Sequence, residues 1–122
     1  MKKSTSNSFV NTSSVLSDAI IFRSDSQTVR INTDDILYIE ALADYVIIKT
    51  ELTRHITLST MKDMVKLLQG RGFVRTHRSF IVNMDKIELF KGSSIVVKKD
   101  SNPMVIPVGR VFKKEIKELL AA

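Results

Sequence analysis

Asp35-Ile36-Leu37-Tyr38-Ile39-Glu40-Ala41-Leu42, a break at Ala43-Asp44, and then Tyr45-Val46-Ile47-Ile48-Lys49-Thr50 form the stretch whose reading decides the fold. Both runs are dense in β-branched and aromatic residues, the composition that suits a pleated, buried surface, so they predict two core strands. Upstream, Ala19–Arg23 and Thr28–Ile31 are short apolar or alternating runs. Ser24-Asp25-Ser26 separates them and reads as a hairpin turn, because Ser and Asp side chains bond their own backbone there. Asn32-Thr33-Asp34-Asp35 makes a second turn before the decisive stretch. Downstream, Arg54-His55-Ile56-Thr57-Leu58 continues the meander, with Ile56 and Leu58 on one face and His55 and Thr57 on the other, which predicts one buried face.

The period then changes. Met61, Met64, Val65 and Leu68 stand at i, i+3, i+4 and i+7, one face of a short helix. Ser59 or Thr60 is its N-cap, Asp63 lies in its first turn and Gly70 follows its end. Strand signals return at Phe73–Arg75, Phe80–Val82, Ile87–Phe90, Ser94–Lys98 and Met104–Ile106, with Lys91-Gly92-Ser93 and Asp100-Ser101-Asn102-Pro103 as turns. Phe112, Ile116, Leu119 and Leu120 mark a C-terminal amphipathic helix whose remaining surface carries Lys113, Lys114 and Lys117. The expected fold is mainly β and antiparallel, with one short internal helix and a C-terminal helix. Residues 1–19 are rich in Ser, Thr and Asn and read as a flexible lead or linker, which leaves 20–122 as the domain.

A chain of 122 residues, 43% hydrophobic and 26% charged, has room for one domain with a real core. It contains no Cys, which excludes disulfides, thiolate-bound zinc and cysteine nucleophiles and points to an intracellular setting. No apolar stretch approaches the roughly 18–20 residues needed to cross a bilayer, and the start has no continuous apolar segment for export, so the expectation is a cytoplasmic protein. The net charge of +6 is unevenly placed: residues 1–69 hold 8 basic and 8 acidic side chains, residues 70–122 hold 11 and 5. The second half therefore carries the whole excess. That suits an anionic partner, through faster encounter and counterion release, or else a solvated lysine face.

Enzymatic readings fail on chemistry. The two histidines, His55 and His77, are too few for a metal site, and His77 with Ser79 lacks the third orienting group and the oxyanion turn of a hydrolase. Asp34-Asp35 is a turn former. The four glycines never approach a phosphate-cradling spacing. No cofactor or metal is expected.

Phe73-Val74-Arg75-Thr76-His77-Arg78-Ser79-Phe80-Ile81-Val82-Asn83 is different, since it sets two arginines, a histidine, a threonine and a serine between apolar strand fragments. Were the run a single extended strand, these side chains would divide between two faces, so a break with side chains on a connecting loop is expected. Arginine makes bidentate contacts to guanine in the major groove and pairs with phosphate, while His, Thr and Ser add shorter hydrogen bonds. Arg78 is the leading contact. His77 is either a second contact or a partner that ties the loop to the sheet.

In these residues the chain resembles the LytTR family of bacterial DNA-binding domains. The resemblance rests on Asp35–Ala41 followed by Tyr45–Ile48, the helix from Leu58 to Leu68, the element Phe-x-Arg-x-His-Arg-Ser-Phe-Ile-Val-Asn complete from Phe73 to Asn83, and Ile106-Pro107-Val108-Gly109-Arg110. It covers about residues 20–120. The resemblance implies an elongated antiparallel β fold that reads DNA with loops between strands rather than with a recognition helix. Carried over residue by residue, it puts the turn Ala43-Asp44-Tyr45, the loop Arg75–Ser79 and the segment Val108-Gly109-Arg110 on the DNA face. Arg75, Arg78 and Arg110 would then supply base or phosphate contacts, with His77, Ser79, Lys86 and Lys113 secondary. Asp44 and Tyr45 would form an acidic and aromatic tip that accepts from a cytosine amino group or touches a thymine methyl. Gly109 stands where the family often has Ser, which implies a backbone N–H in place of a hydroxyl contact.

The function implied is sequence-specific binding of double-stranded DNA as the output domain of a bacterial transcriptional response regulator, at direct-repeat promoter sites, with no membrane contact and with the isolated domain monomeric. Family members usually carry a phospho-acceptor receiver domain or a membrane segment in front. Neither is among these residues, which implies an excised domain or a stand-alone regulator. Two other readings start from the same residues: a single-stranded nucleic-acid module, which needs displayed aromatics, and a protein-interaction domain whose edge strands extend a partner's sheet.

Overall fold

The computed structural model describes residues 18–98 and 102–121. The lead up to residue 17 and the Asp100-Ser101 part of the expected turn lie outside the described residues. Strands β1 (Ala19–Ser24) and β2 (Gln27–Asn32) form a hairpin, and a 3-10 turn over Thr33–Asp35 delivers the chain to β3 (Ile36–Leu42), β4 (Tyr45–Thr50) and β5 (Arg54–Leu58). Helix α1 (Met61–Leu67) follows, then β6 (Phe73–His77), β7 (Phe80–Asn83), a 3-10 turn over Met84–Lys86, and β8 (Ile87–Phe90), β9 (Ser94–Val97) and β10 (Met104–Pro107). A last 3-10 turn, Arg110–Phe112, leads into α2 (Lys113–Ala121). The strands make three antiparallel sheets: β1-β2, a central sheet ordered β5-β4-β3-β7-β6, and β10-β9-β8.

Both faces of the central sheet are covered where β3 and β7 run, which is why β3 reads as continuous apolar sequence instead of an alternating one. One face carries Ile39, Val46, Ile48 and Ile81, packed under Ile20 and Ile31 of the first hairpin and under Met61, Met64 and Leu68 of the α1 region. The other carries Tyr38, Val74 and Val82 against Ile95, Val97 and Ile106 of the third sheet and Ile116 of α2. The irregularity in β3 pairing between Ile36 and Tyr38 lets Leu37 join the second core beside Tyr38.

Three expectations change. In β5 the buried side chain is Thr57, at 6% exposure, whereas Ile56 and Leu58 are 38% and 72% exposed. The reason is tertiary: β4 and β5 contribute no residue to the second core, and although Ile47 of β4 is buried beside Ile56, the outer strand's Ile56 and Leu58 stay open. Val65 of α1 likewise sits at the rim, outside the buried set of Met61, Met64 and Leu68. In α2 only Ile116 is buried, and Leu119 and Leu120 remain exposed. The N-cap of α1 is Thr60, whose hydroxyl accepts from the Asp63 N–H at 3.0 Å. Gly70 follows with φ of 76°, the left-handed conformation that ends helices.

Candidate nucleic-acid interface

Register decides which loops meet. Leu42 pairs with Tyr45 and Glu40 with Phe80, so the β3–β4 turn and the β6–β7 turn lie at the same end of the central sheet. The Ala41 N–H donates to the Ser79 carbonyl at 2.9 Å and ties the two turns together. The Gly109 N–H donates to the Thr76 carbonyl at 2.8 Å and brings the segment before α2 to the same place. Asp44, Tyr45, Arg75, His77, Arg78, Ser79, Gly109 and Arg110 thus share one end, with Lys113 exposed three residues beyond Arg110.

Lys86 is not brought there. It sits in the 3-10 turn after β7 and lines a cleft with Asp34, Asp35 and Thr50–Thr53, at the opposite end of the sheet. Roughly 13 Å of β7, at about 3.3 Å per residue, separates the two ends.

The β6–β7 connection is a two-residue turn, Arg78-Ser79, and its geometry comes from an irregularity: Arg75 pairs with Ile81 and His77 with Phe80, which leaves Thr76 as the extra residue. Its hydroxyl is buried with no hydrogen-bond partner. The His77 Nδ1 accepts the Ser79 N–H at 3.1 Å, which leaves Nε2 to carry the ring proton, and the ring meets Phe80 edge-on at 6.0 Å. His77 therefore does tie the turn to the sheet. Arg75 donates from Nε to the His77 carbonyl at 3.3 Å and from Nη2 to the Arg78 carbonyl at 2.6 Å. Its guanidinium carbon lies 5.8 Å from the centre of the Phe112 ring. The Arg78 side chain itself is exposed, as is that of Arg110.

Gly109 does not offer a free backbone N–H in place of a hydroxyl, because that N–H is committed to Thr76. A Cβ at this position would come within 3.1 Å of the Phe112 ring. Phe112 was legible only as a core residue of the last helix; its service to Arg75 has no sequence signal, since 37 positions separate them. Ala43 takes the left-handed conformation at φ of 54°, unusual for a residue other than Gly, Asn or Asp, at the tip beside Asp44.

The charges at this end are divided. Arg78, Arg110 and Lys113 are exposed cations on the side of the β6–β7 turn and the α2 entry. Asp44 and Asp63 line one cleft with Tyr45 and Leu58 on the other side. The first group suits phosphate or guanine; the carboxylate at the tip repels phosphate and suits an amino donor. Among the described residues no three His, Asp or Glu gather as a metal site, and no helix is long and apolar enough to cross a membrane.

The LytTr DNA-binding domain family matches residues 26–121. The chain belongs to the LytTR family of DNA-binding domains. It is 31% identical over 100 residues to the sensory transduction protein LytT of Bacillus anthracis, which covers 79% of this chain and 40% of that one. Against LytT of Bacillus subtilis it is 33% identical over 96 residues, 75% of this chain and 39% of the relative. The chain thus spans well under half the length of the curated relatives it matches. A solved LytTr DNA-binding domain from Bacillus cereus superposes with a TM-score of 0.70 at 20% identity, covering 86% of this chain and 98% of that one, which shows the LytTR fold. The expected fold class and the DNA-binding, non-enzymatic family therefore both hold.

Proposed function

We propose that this LytTR domain reads duplex DNA sequence with the three segments gathered at one end of its central sheet, as the cytoplasmic output domain of a bacterial transcriptional response regulator. The observation that carries the reading is the joining of these segments by two backbone hydrogen bonds, Ala41 to Ser79 and Gly109 to Thr76, which sets exposed Arg78 and Arg110 beside one another's loops. Arg78 and Arg110 supply base or phosphate contacts. Asp44 accepts from a cytosine amino group and Tyr45 rests on a thymine methyl. Ser79, the Nε2–H of His77 and Lys113 add secondary contacts, and Lys86 falls outside this face. Each domain takes one of two direct repeats, and the free domain is a monomer.

Selection of bound duplexes from a random pool, followed by titration of the winner and a scrambled control at several salt concentrations, tests this. A recurring motif bound at least about 1,000-fold tighter than the control is expected, with a salt slope near −0.9 per phosphate neutralised. Equal, salt-sensitive binding to every duplex would reduce the face to a basic surface. Arg78→Ala is expected to cost about 1–3 kcal/mol on the selected duplex and to relax preference at one base position; a loss equal on all duplexes assigns Arg78 to phosphate instead.

A further inference from the structure

Arg75 differs from the other cations of this end in having two of its N–H donors committed to the protein's own backbone. Two of its N–H groups go to the carbonyls of His77 and Arg78, and its guanidinium plane lies by the Phe112 ring. The residue is half-buried, and it lines a cleft with Glu115 and Leu119 of α2.

Because Thr76 is an extra residue in the β6–β7 pairing, the ladder slips there, and a guanidinium fork satisfies two successive carbonyls with one rigid group. The same guanidinium lies 5.8 Å from the centre of the Phe112 ring, and Phe112 ends the 3-10 turn that Arg110 begins. Phe112 is fixed in its own turn, its N–H donating to the Gly109 carbonyl at 3.0 Å, and Gly109 in turn donates to Thr76. A closed circuit results: Arg75 to the Arg78 turn, Arg75 to Phe112, Phe112 to Gly109, and Gly109 back to the strand that bears Arg75.

We propose that Arg75 is a positioning residue for DNA recognition, a clamp that sets the Arg78 turn and the Arg110 turn at a fixed separation through its bonds to the His77 and Arg78 carbonyls and its seat on Phe112. This rests on the reading that Arg78 and Arg110 face DNA. It follows that base discrimination depends on Arg75 while phosphate binding depends on it little. Lysine keeps the charge but not the planar two-point fork, so the conservative change is not conservative here.

The test compares the parent with Arg75→Lys, Arg75→Gln and Phe112→Leu, each confirmed as folded by circular dichroism. Fluorescence anisotropy is read on the duplex recovered by selection and on its scrambled control across a salt series, and amide nitrogen–proton spectra are recorded without DNA. Arg75→Lys and Arg75→Gln should each weaken the selected duplex about 10- to 100-fold with the scrambled affinity within about 3-fold of the parent's, and Arg75→Lys should leave the salt slope unchanged. The amides of residues 77–79 and 109–112 should move together in the free protein. Phe112→Leu should act in the same direction, and Arg75→Lys combined with it should be little worse than Arg75→Lys alone.

Full retention of the selected duplex by Arg75→Lys would overturn the clamp, and a loss in Arg75→Gln beside it would make Arg75 a phosphate contact. Amide changes confined to residues 77–79 would also overturn the clamp. If Arg75→Gln does not fold, Phe112→Leu decides between these outcomes. A parent with no duplex preference would sink the recognition reading, while the free-protein spectra would still decide whether the clamp joins the two turns.

Discussion

Tyr38 is almost wholly buried under the third sheet, and burial first, then the Glu40 carboxylate, hold its phenol above the usual pKa, with Arg54 pulling partly the other way. A folded-state value above the unfolded one, about 10, means that the folded protein holds the proton more tightly. The associated stability is present below about pH 10 and is lost as pH rises through the raised folded value. Tyr38→Phe, which has nothing to titrate, should therefore show a shallower loss of stability than the parent above about pH 10 in urea titrations; parallel curves would sink the assignment. At Thr76 the argument runs on shape. Its buried hydroxyl has no partner, so Thr76→Val, with nearly the same volume, should leave stability unchanged or raise it by up to about 1 kcal/mol. A loss larger than about 1 kcal/mol in the urea midpoint would mean the hydroxyl is satisfied in solution. Both residues were visible in the sequence only as members of strand runs, because their environment is made by segments far along the chain.

Among the elements, β7 and the 3-10 turn after it depend on one side chain. Asn83 is buried and donates its amide to the carbonyls of Ile36 at 2.9 Å and Thr33 at 3.3 Å, while its Oδ1 accepts the Asp85 N–H at 3.0 Å. It therefore fastens the start of β3 to the end of β7 and caps the next turn in one stroke. Asn83→Ala should cost about 2–3 kcal/mol, since buried carbonyls and a turn N–H lose their partners, and a urea midpoint unchanged from the parent's would refute that role. In the sequence Asn83 is merely the last residue of the Phe73–Asn83 element. The β6–β7 break was legible, since five polar side chains could not share one face of a strand, but its place was not. The turn falls at Arg78-Ser79, and Arg75 to His77 stay in β6. The helix at Met61 was legible from period and cap because both are local.

Among the described residues the central sheet is the only layer shared by the two cores, so damage on one face should be felt throughout. Ile116 is fully buried and is the one α2 residue in the second core. Ile116→Ala should destabilise by about 2–5 kcal/mol and lower the melting temperature of the entire domain in a single transition. A helix signal that melts well before the strand signal in circular dichroism would instead make α2 a separately docked appendage.

The decisive strand pair, the short helix and the basic second half were set by local composition and period, which a sequence displays directly. A strand's neighbours, its exposed face and the reach of a side chain across 37 residues depend on register and on which layer covers which. That is why Thr57 is buried where Ile56 and Leu58 are open, why Lys86 stands at the far end from Arg78, and why Arg75 faces its own backbone. Residue types alone marked the arginines as able to hold DNA. Only the folded sheet, by bringing three distant loops to one end through hydrogen bonds that no local pattern encodes, decided which of them are free to do so.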